Sequence, residues 1–132
     1  MYPLEACGVM LGKFDGATGV VVHDFVPVEN AAQSAKIYEL DGRQFSKAAL
    51  NADKSGLDIV GVVHSHTHTV AYPSATDVAE GTRPVVPPQW HWPILSLAGG
   101  YPELRSFQFV AKSDDKSDGQ HGIVEEPVRF LQ

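Results

Sequence analysis

Short runs of apolar or alternating residues, separated by turn residues, recur along the chain and are typical of β-strands. They occupy residues 6–11, 19–26, 36–40, 58–64, 93–98, 103–110 and 123–130. The first two runs are joined by an Asp-Gly turn followed by Gly19, which predicts a β-hairpin. Pro127 interrupts the last run and indicates an edge strand or a bulge, because proline cannot donate to a sheet ladder.

Two further segments have helical periodicity. Apolar residues recur at helical spacing from Phe45 to Ala52, after Asp41 as an N-cap and before Gly56 as a helix end. Ser74 opens a second, short helix, which the following Gly- and Pro-rich stretch stops. The order β-β-β-α-β-α-β-β-β predicts an α/β fold around one mixed sheet.

Length, charge and cysteine content narrow the class of protein. The 132 residues provide room for one domain, and we expect a single domain over residues 1–132. The formal net charge is −6 with no block of basic residues, which argues against a nucleic-acid partner. No apolar stretch is long enough to span a membrane and no secretory leader opens the chain, so we expect a cytoplasmic protein without a membrane partner. The single cysteine excludes an intrachain disulfide.

Three of the six histidines fall within five residues, where the most apolar strand ends. On an extended backbone His64 and His66 point to the same side and can converge on one metal ion. Asp77 is the natural third ligand, and a water would complete a zinc site. Alternatively, Ser74 and Asp77 form a capping pattern at a helix start, and both functions can coexist.

The full string, His64-x-His66, seven residues, Ser74, two residues, Asp77, resembles the signature of the JAMM (MPN+) metalloprotease family. The family's remote glutamate is matched by Glu5, which precedes a Cys-Gly strand as in the bacterial branch. The resemblance implies a single MPN domain with a cytidine-deaminase-like fold, that is, a mixed, mostly antiparallel sheet flanked by helices. We expect this chain to lack the family's first helix, because almost nothing precedes the glutamate.

The resemblance also implies a mechanism. His64, His66 and Asp77 would hold one zinc ion per chain, with a metal-bound water that attacks a carbonyl. Glu5 would act as general base and then as general acid towards the leaving amine. Ser74 would donate to the developing oxyanion.

Segments outside the motif are similar to the actinobacterial members that act on a small sulfur-carrier protein. They are residues 37–41, 71–74, 103–106 and 124–128. This similarity implies a ubiquitin-like partner with a Gly-Gly tail, from which cysteine is released in cysteine biosynthesis. A general isopeptidase or peptidase and a non-catalytic MPN interaction module are the alternatives. A missing first helix would expose apolar sheet surface, which a homodimer would cover.

Four residues near the motif carry weaker expectations. Trp90 and Trp92 either anchor the core or form, with His68, a wall of the substrate groove. His68 lies outside the family signature and is otherwise a polar loop residue. Cys7 follows Glu5 by two residues, and we expect it to be a small buried residue near the site.

Overall fold

The computed structural model describes most of the chain, and the structural statements below concern these residues alone. They are residues 6–16, 19–28, 42–82, 86–87, 89–111 and 121–130. The predicted strand at residues 36–40, the predicted N-cap Asp41 and the predicted catalytic Glu5 lie outside them.

Six described strands form one sheet. They are β1 (Cys7–Asp15), β2 (Gly19–Val28), β3 (Asp58–His66), β4 (Trp92–Ser96), β5 (Glu103–Ala111) and β6 (His121–Glu126). Their spatial order is β2-β1-β3-β4-β5-β6, and within this described sheet β3 and β4 form the parallel pair while the other neighbours are antiparallel. The predicted mixed, mostly antiparallel sheet is therefore confirmed. Because β3 and β4 are parallel, the chain between them must cross over.

Two helices are described, α1 (Gly42–Ser55) and α2 (Ala75–Gly81), and α2 lies in the β3–β4 crossover. Gly56 ends α1 as predicted: its φ is +69°, and the N–H of Leu57 donates to the carbonyl oxygen of Ala52 at 2.9 Å, as in a Schellman motif. Among the described residues, no helix is long and apolar enough to cross a membrane.

The core lies on one face of the sheet, where alternate strand residues pack against the inner face of α1. Its fully buried members on the strands are Val9, Leu11, Val62, Ile94 and Phe107, and Ala48 and Ala52 join them from α1. Trp92 stacks on Phe109 with a ring-centroid distance of 5.6 Å. Gly81, the last residue of α2, approaches both rings so closely that a Cβ would collide with them. The core thus holds the end of α2.

Several strand ends differ from the prediction by a few residues, and two of these differences have a clear physical cause. β1 continues past Gly12 to Asp15, because a register shift after Leu11 lets the ladder with β2 resume, and the turn is confined to the segment at Gly16 (φ +73°). The last strand ends at Glu126 and does not reach Phe130, since Pro127 has no N–H with which to extend the ladder.

Candidate metal centre

The end of β3 places two histidines side by side on the core face of the sheet. His64 and His66 are 2% and 3% exposed, and they continue the row of Val60 and Val62. Their Nε2 atoms lie 3.1 Å apart. The extended backbone therefore directs both imidazoles to one point, as the i, i+2 spacing predicted.

Asp77 reaches the same point from the first turn of α2. Ser74 is the N-cap of this helix, and its Oγ accepts a hydrogen bond from the N–H of Asp77 at 3.1 Å. In return, the N–H of Ser74 donates to Oδ2 of Asp77 at 2.9 Å, which completes a capping box. The same Oδ2 faces the two histidines, so the capping function and the convergence on the histidines coexist in one carboxylate.

Three donor atoms form a compact triangle. Asp77 Oδ2 lies 3.3 Å from His64 Nε2 and 3.0 Å from His66 Nε2, and Asp77 itself is 1% exposed. Zinc bonds of about 2.0–2.1 Å in tetrahedral geometry need donor separations of roughly 3.3 Å. The three atoms thus have the chemistry, number and spacing of a group that could hold a metal ion.

The hydrogen bonds around His66 leave the lone pair of its Nε2 atom directed into this triangle. Its Nδ1 lies 2.8 Å from the carbonyl oxygen of Val70, which can only accept, so Nδ1 carries the proton. In the neutral ring Nε2 then carries a lone pair, which faces the carboxylate oxygen Oδ2 of Asp77. The other carboxylate oxygen, Asp77 Oδ1, is buried without a hydrogen-bond partner in the described part of the chain. These facing acceptors fit a metal ion.

Burial and hydrogen bonding set the charge states of the ligands. Burial lowers the pKa of His64 below its usual range, despite the opposing hydrogen bond with Asp77. Burial alone would raise the pKa of Asp77, but the adjoining imidazoles and the N–H of Ser74 outweigh it and lower the pKa well below its ordinary value. A neutral His64 and an ionised Asp77 are the states that bind a metal.

The start of β1 lies beside the two histidines. Ser65, between them, accepts from the N–H of Ala6 through its Oγ at 2.8 Å, and its own N–H donates to the carbonyl oxygen of Ala6 at 2.9 Å. Glu5 immediately precedes Ala6, and its catalytic function stays a prediction. Cys7 is 4% exposed and pairs with His64 across the β1–β3 ladder, so the expected small buried residue near the site is confirmed.

Of the three predicted groove residues, Trp90 and Trp92 are buried with ring centroids 6.1 Å apart, and His68 is exposed. Trp90 and Trp92 are 8% and 5% exposed and belong to the core cluster, which favours the core function that the sequence also allowed. His68 lies on the exposed loop after β3. A contribution of these residues to substrate binding stays a prediction.

Sequence reasoning missed the surroundings of His66. The carbonyl of Val70 left no signal, because any residue supplies one. Ser96 was visible only as a polar position inside an apolar run, yet it is buried at 2% beside His66. A cavity of about 220 Å³ lies next to these residues, and its lining consists of Val70, Ser96, Ala98, Gly99, Tyr101 and Glu103.

The sequence matches one known family over most of its length. The profile described as prokaryotic homologs of the JAB domain (Prok-JAB) covers residues 1–110. The CysO-cysteine peptidase of Mycobacterium tuberculosis (strain ATCC 25618 / H37Rv) is 35% identical over 133 residues, which cover 99% of this chain and 80% of the relative. A desampylase of Haloferax volcanii is 38% identical over 76 residues, or 57% of this chain and 52% of the relative.

Solved structures agree with the observed fold. The solution structure of protein DSY2949 from Desulfitobacterium hafniense superposes with a TM-score of 0.68 at 32% identity, covering 95% of this chain and 77% of the other. The solution structure of a protein from Salinibacter ruber gives a TM-score of 0.65 at 32% identity, with coverages of 96% and 78%.

Proposed function

Because the chain belongs to the family of prokaryotic homologues of the JAB domain, we propose that it is a zinc-dependent hydrolase that cleaves a peptide-like bond. The observation that carries the proposal is the convergence of His64 Nε2, His66 Nε2 and Asp77 Oδ2 within 3.0–3.3 Å of one another. These three residues would hold the ion. Zinc bound there would supply a Lewis acid for the scissile carbonyl and lower the pKa of water to about 7.

Ser74 is our candidate for a hydrogen-bond donor to the substrate carbonyl. It is exposed, and the capping box fixes its position beside Asp77. Since its Oγ accepts from the N–H of Asp77, its own hydroxyl proton can be donated to a developing oxyanion. Removing one such donor costs about 10²–10³-fold in kcat in comparable sites.

Glu5 is our candidate for the proton transfers. It would take a proton from the attacking water and return it to the leaving amine, a contribution of about 10²–10⁴-fold. The support is its position next to Ala6, which is hydrogen-bonded to the residue between the two histidines.

The substrate we propose is the C-terminal Gly-Gly end of a small ubiquitin-like sulfur-carrier protein, from which cysteine is released in cysteine biosynthesis. The support is the relative named CysO-cysteine peptidase, whose similarity extends over nearly the whole chain. The cavity beside His66 is suited to the part of the substrate next to the scissile bond. The leaving group would thus be a free amino acid.

An isopeptidase acting on protein conjugates is the second candidate, favoured by the similarity to desampylases over part of the chain. A non-catalytic interaction module has less support, because all three donor residues are present. A homodimer and a cytoplasmic location stay predictions. Exposed apolar side chains on β2, such as Phe25 at 46% and Val22 at 45%, would suit an association surface.

The test is incubation of the purified chain with a Gly-Gly-ending carrier that bears C-terminal cysteine, followed by intact mass measurement. We expect loss of the cysteine mass, inhibition by a chelator and recovery with zinc. An isopeptide-linked carrier conjugate distinguishes the second candidate. Glu5→Gln should bind zinc normally and cleave at least about 100-fold more slowly. Glu125→Gln, which loses an exposed ion pair with Arg105, should cleave as the unchanged protein does. Chelator-resistant cleavage would overturn the proposal.

A further inference from the structure

We propose that Ser96 is a positioning residue for the metal ligand His66, an inference that rests on the proposed metal centre. Ser96 is the last residue of β4, is 2% exposed and pairs with His66 across the parallel β3–β4 ladder. It is not one of the three converging donors. Its influence on the site runs through the loop that follows β3.

A chain of hydrogen bonds connects Ser96 to the imidazole. Ser96 Oγ donates to the carbonyl oxygen of Thr69 at 2.5 Å and accepts from the N–H of Ala98 at 3.2 Å. Thr69 Oγ1 lies 3.0 Å from Nδ1 of His66, and the carbonyl of the next residue, Val70, accepts from the same Nδ1 at 2.8 Å. Ser96 therefore fixes the peptide between the two residues that contact Nδ1.

This loop depends on hydrogen bonds, because little of it is buried. His68, Thr69 and Val70 are exposed, Val70 at 65%. Without the Ser96 hydroxyl, the peptide after Thr69 loses this hydrogen bond, so Thr69 Oγ1 can move away from Nδ1 of His66. The Val70 carbonyl, which also accepts from the N–H of Tyr72 at 2.8 Å, then supports the ring without Thr69, and the orientation of the imidazole is less well fixed. Removal of such outer partners typically weakens metal binding about 10–100-fold.

The backbone at His66 is held independently of the Ser96 side chain. The carbonyl of His66 accepts from the N–H of Leu97 at 3.0 Å, and the strand ladder continues through Ser65. Substituting Ser96 should therefore leave β3 in place and change only the support of the ring. This separates a positioning function from a purely structural one.

The chain offers a matched control. Ser106 on β5 is 5% exposed and donates from Oγ to Glu126 at 2.7 Å. Ser106 pairs with Pro93, and both side chains lie on the sheet face opposite to that of Ser96 and the metal ligands. Ser106→Ala removes a hydroxyl of similar burial that also donates one hydrogen bond, in this case to a carboxylate. At position 96 itself, Ser96→Thr and Ser96→Val have nearly equal volume and differ in the hydroxyl group.

The experiment titrates the metal-free full chain with Co²⁺ and with Zn²⁺ in competition with a chromophoric chelator, and it records the visible Co²⁺ bands. We expect Ser96→Ala and Ser96→Val to bind about 10-fold more weakly with changed band intensities. Ser96→Thr and Ser106→Ala should stay within about 2-fold of the unchanged chain. Both alanine variants should lower the Tm of the metal-free protein, since each loses a buried hydrogen bond.

An unchanged metal affinity and Co²⁺ spectrum in Ser96→Ala would overturn the inference. Equal losses of metal affinity in Ser96→Thr and Ser96→Val would also overturn it. If Ser96→Ala is not recovered folded, the Thr and Val pair decides alone, since both are favourable strand residues. If the protein without substitutions binds neither Co²⁺ nor Zn²⁺, the metal centre on which the proposed function rests is itself overturned.

Discussion

Asp77→Asn is the substitution that tests the metal centre most directly. The carboxylate is 1% exposed and supplies the Oδ2 that faces both histidines. An asparagine oxygen can still accept from the N–H of Ser74, so the helix cap is retained. What disappears is the negative charge among the three donors. We therefore expect a small effect on the metal-free protein and a large effect on zinc binding.

The magnitude follows from linkage. Zinc at 1,000 times its Kd stabilises the folded chain by about 4.1 kcal/mol. At about 4 °C per kcal/mol for a domain of this size, the Tm rises by about 16 °C. Loss of a direct ligand should exceed the roughly 100-fold cost of losing an outer partner. At the same zinc concentration the stabilisation then falls to at most about 1.4 kcal/mol, or about 6 °C.

The assay is thermal unfolding of the chelator-treated chain with and without zinc. Asp53→Asn on α1 is the matched control, because Asp53 is exposed and lies outside the metal triad. It should show the full zinc-induced shift. An Asp77→Asn protein whose shift stays within about 3 °C of the unchanged chain would show that Asp77 is not a ligand. No shift in the unchanged chain would refute the centre itself.

Three further predictions concern residues around the ligands. Ser74→Ala should lower the stability by about 1 kcal/mol because the helix loses its cap, and it should lower kcat by about 10²-fold because the oxyanion donor is lost. Ser74→Thr should retain both functions. Chemical denaturation measures the first effect and steady-state kinetics the second, and equal kcat values in the two variants would exclude Ser74 from the mechanism. The lowered pKa of His64 means that the unfolded chain binds more protons than the metal-free folded chain, so stability should fall as the pH drops below about 6.5. Urea unfolding midpoints measured from about pH 7.5 to about pH 5, on both sides of the ordinary histidine pKa, test this fall in stability. His64→Gln should make the midpoint depend less on pH. An equal pH dependence in that variant would show that another group causes it. Gly99→Leu should raise KM without lowering the Tm, because Gly99 lines the cavity and a Cβ at this position meets no atom within 4 Å. An unchanged KM would show that the substrate does not occupy the cavity.

The strands and helices were largely predictable, because each alternates or repeats its apolar residues clearly. The helix that ends at Gly56 and the short helix after Ser74 needed only local chemistry, namely a glycine with positive φ and a capping box. Strand order was not predictable in this way. The parallel pairing of β3 with β4 depends on the crossover and on core packing, which a period-2 pattern does not encode.

The same limit explains which parts of the site were found. His64, His66 and Asp77 carry ligand chemistry in their side chains, so their spacing is informative. The support of His66 comes from a backbone carbonyl and from Ser96, which becomes its neighbour only through the parallel ladder. Direct ligands are thus visible in a sequence, whereas their outer partners are created by the strand order.

The capping box explains why an aspartate occupies position 77, although glutamate is the usual acid at the third position of a helix. The histidines are fixed by β3, with Nε2 atoms at 3.0 and 3.3 Å from Oδ2. A glutamate would carry its carboxylate one methylene further and could not both accept from the Ser74 N–H and keep these distances. The capping box therefore holds the third donor in position before any metal binds. The conformational entropy lost on ordering the Asp77 side chain is then part of the free energy of helix formation and is not lost again on metal binding. Ser74 and Asp77 thus form one hydrogen-bonded pair that starts the helix and directs a carboxylate oxygen towards the two histidines.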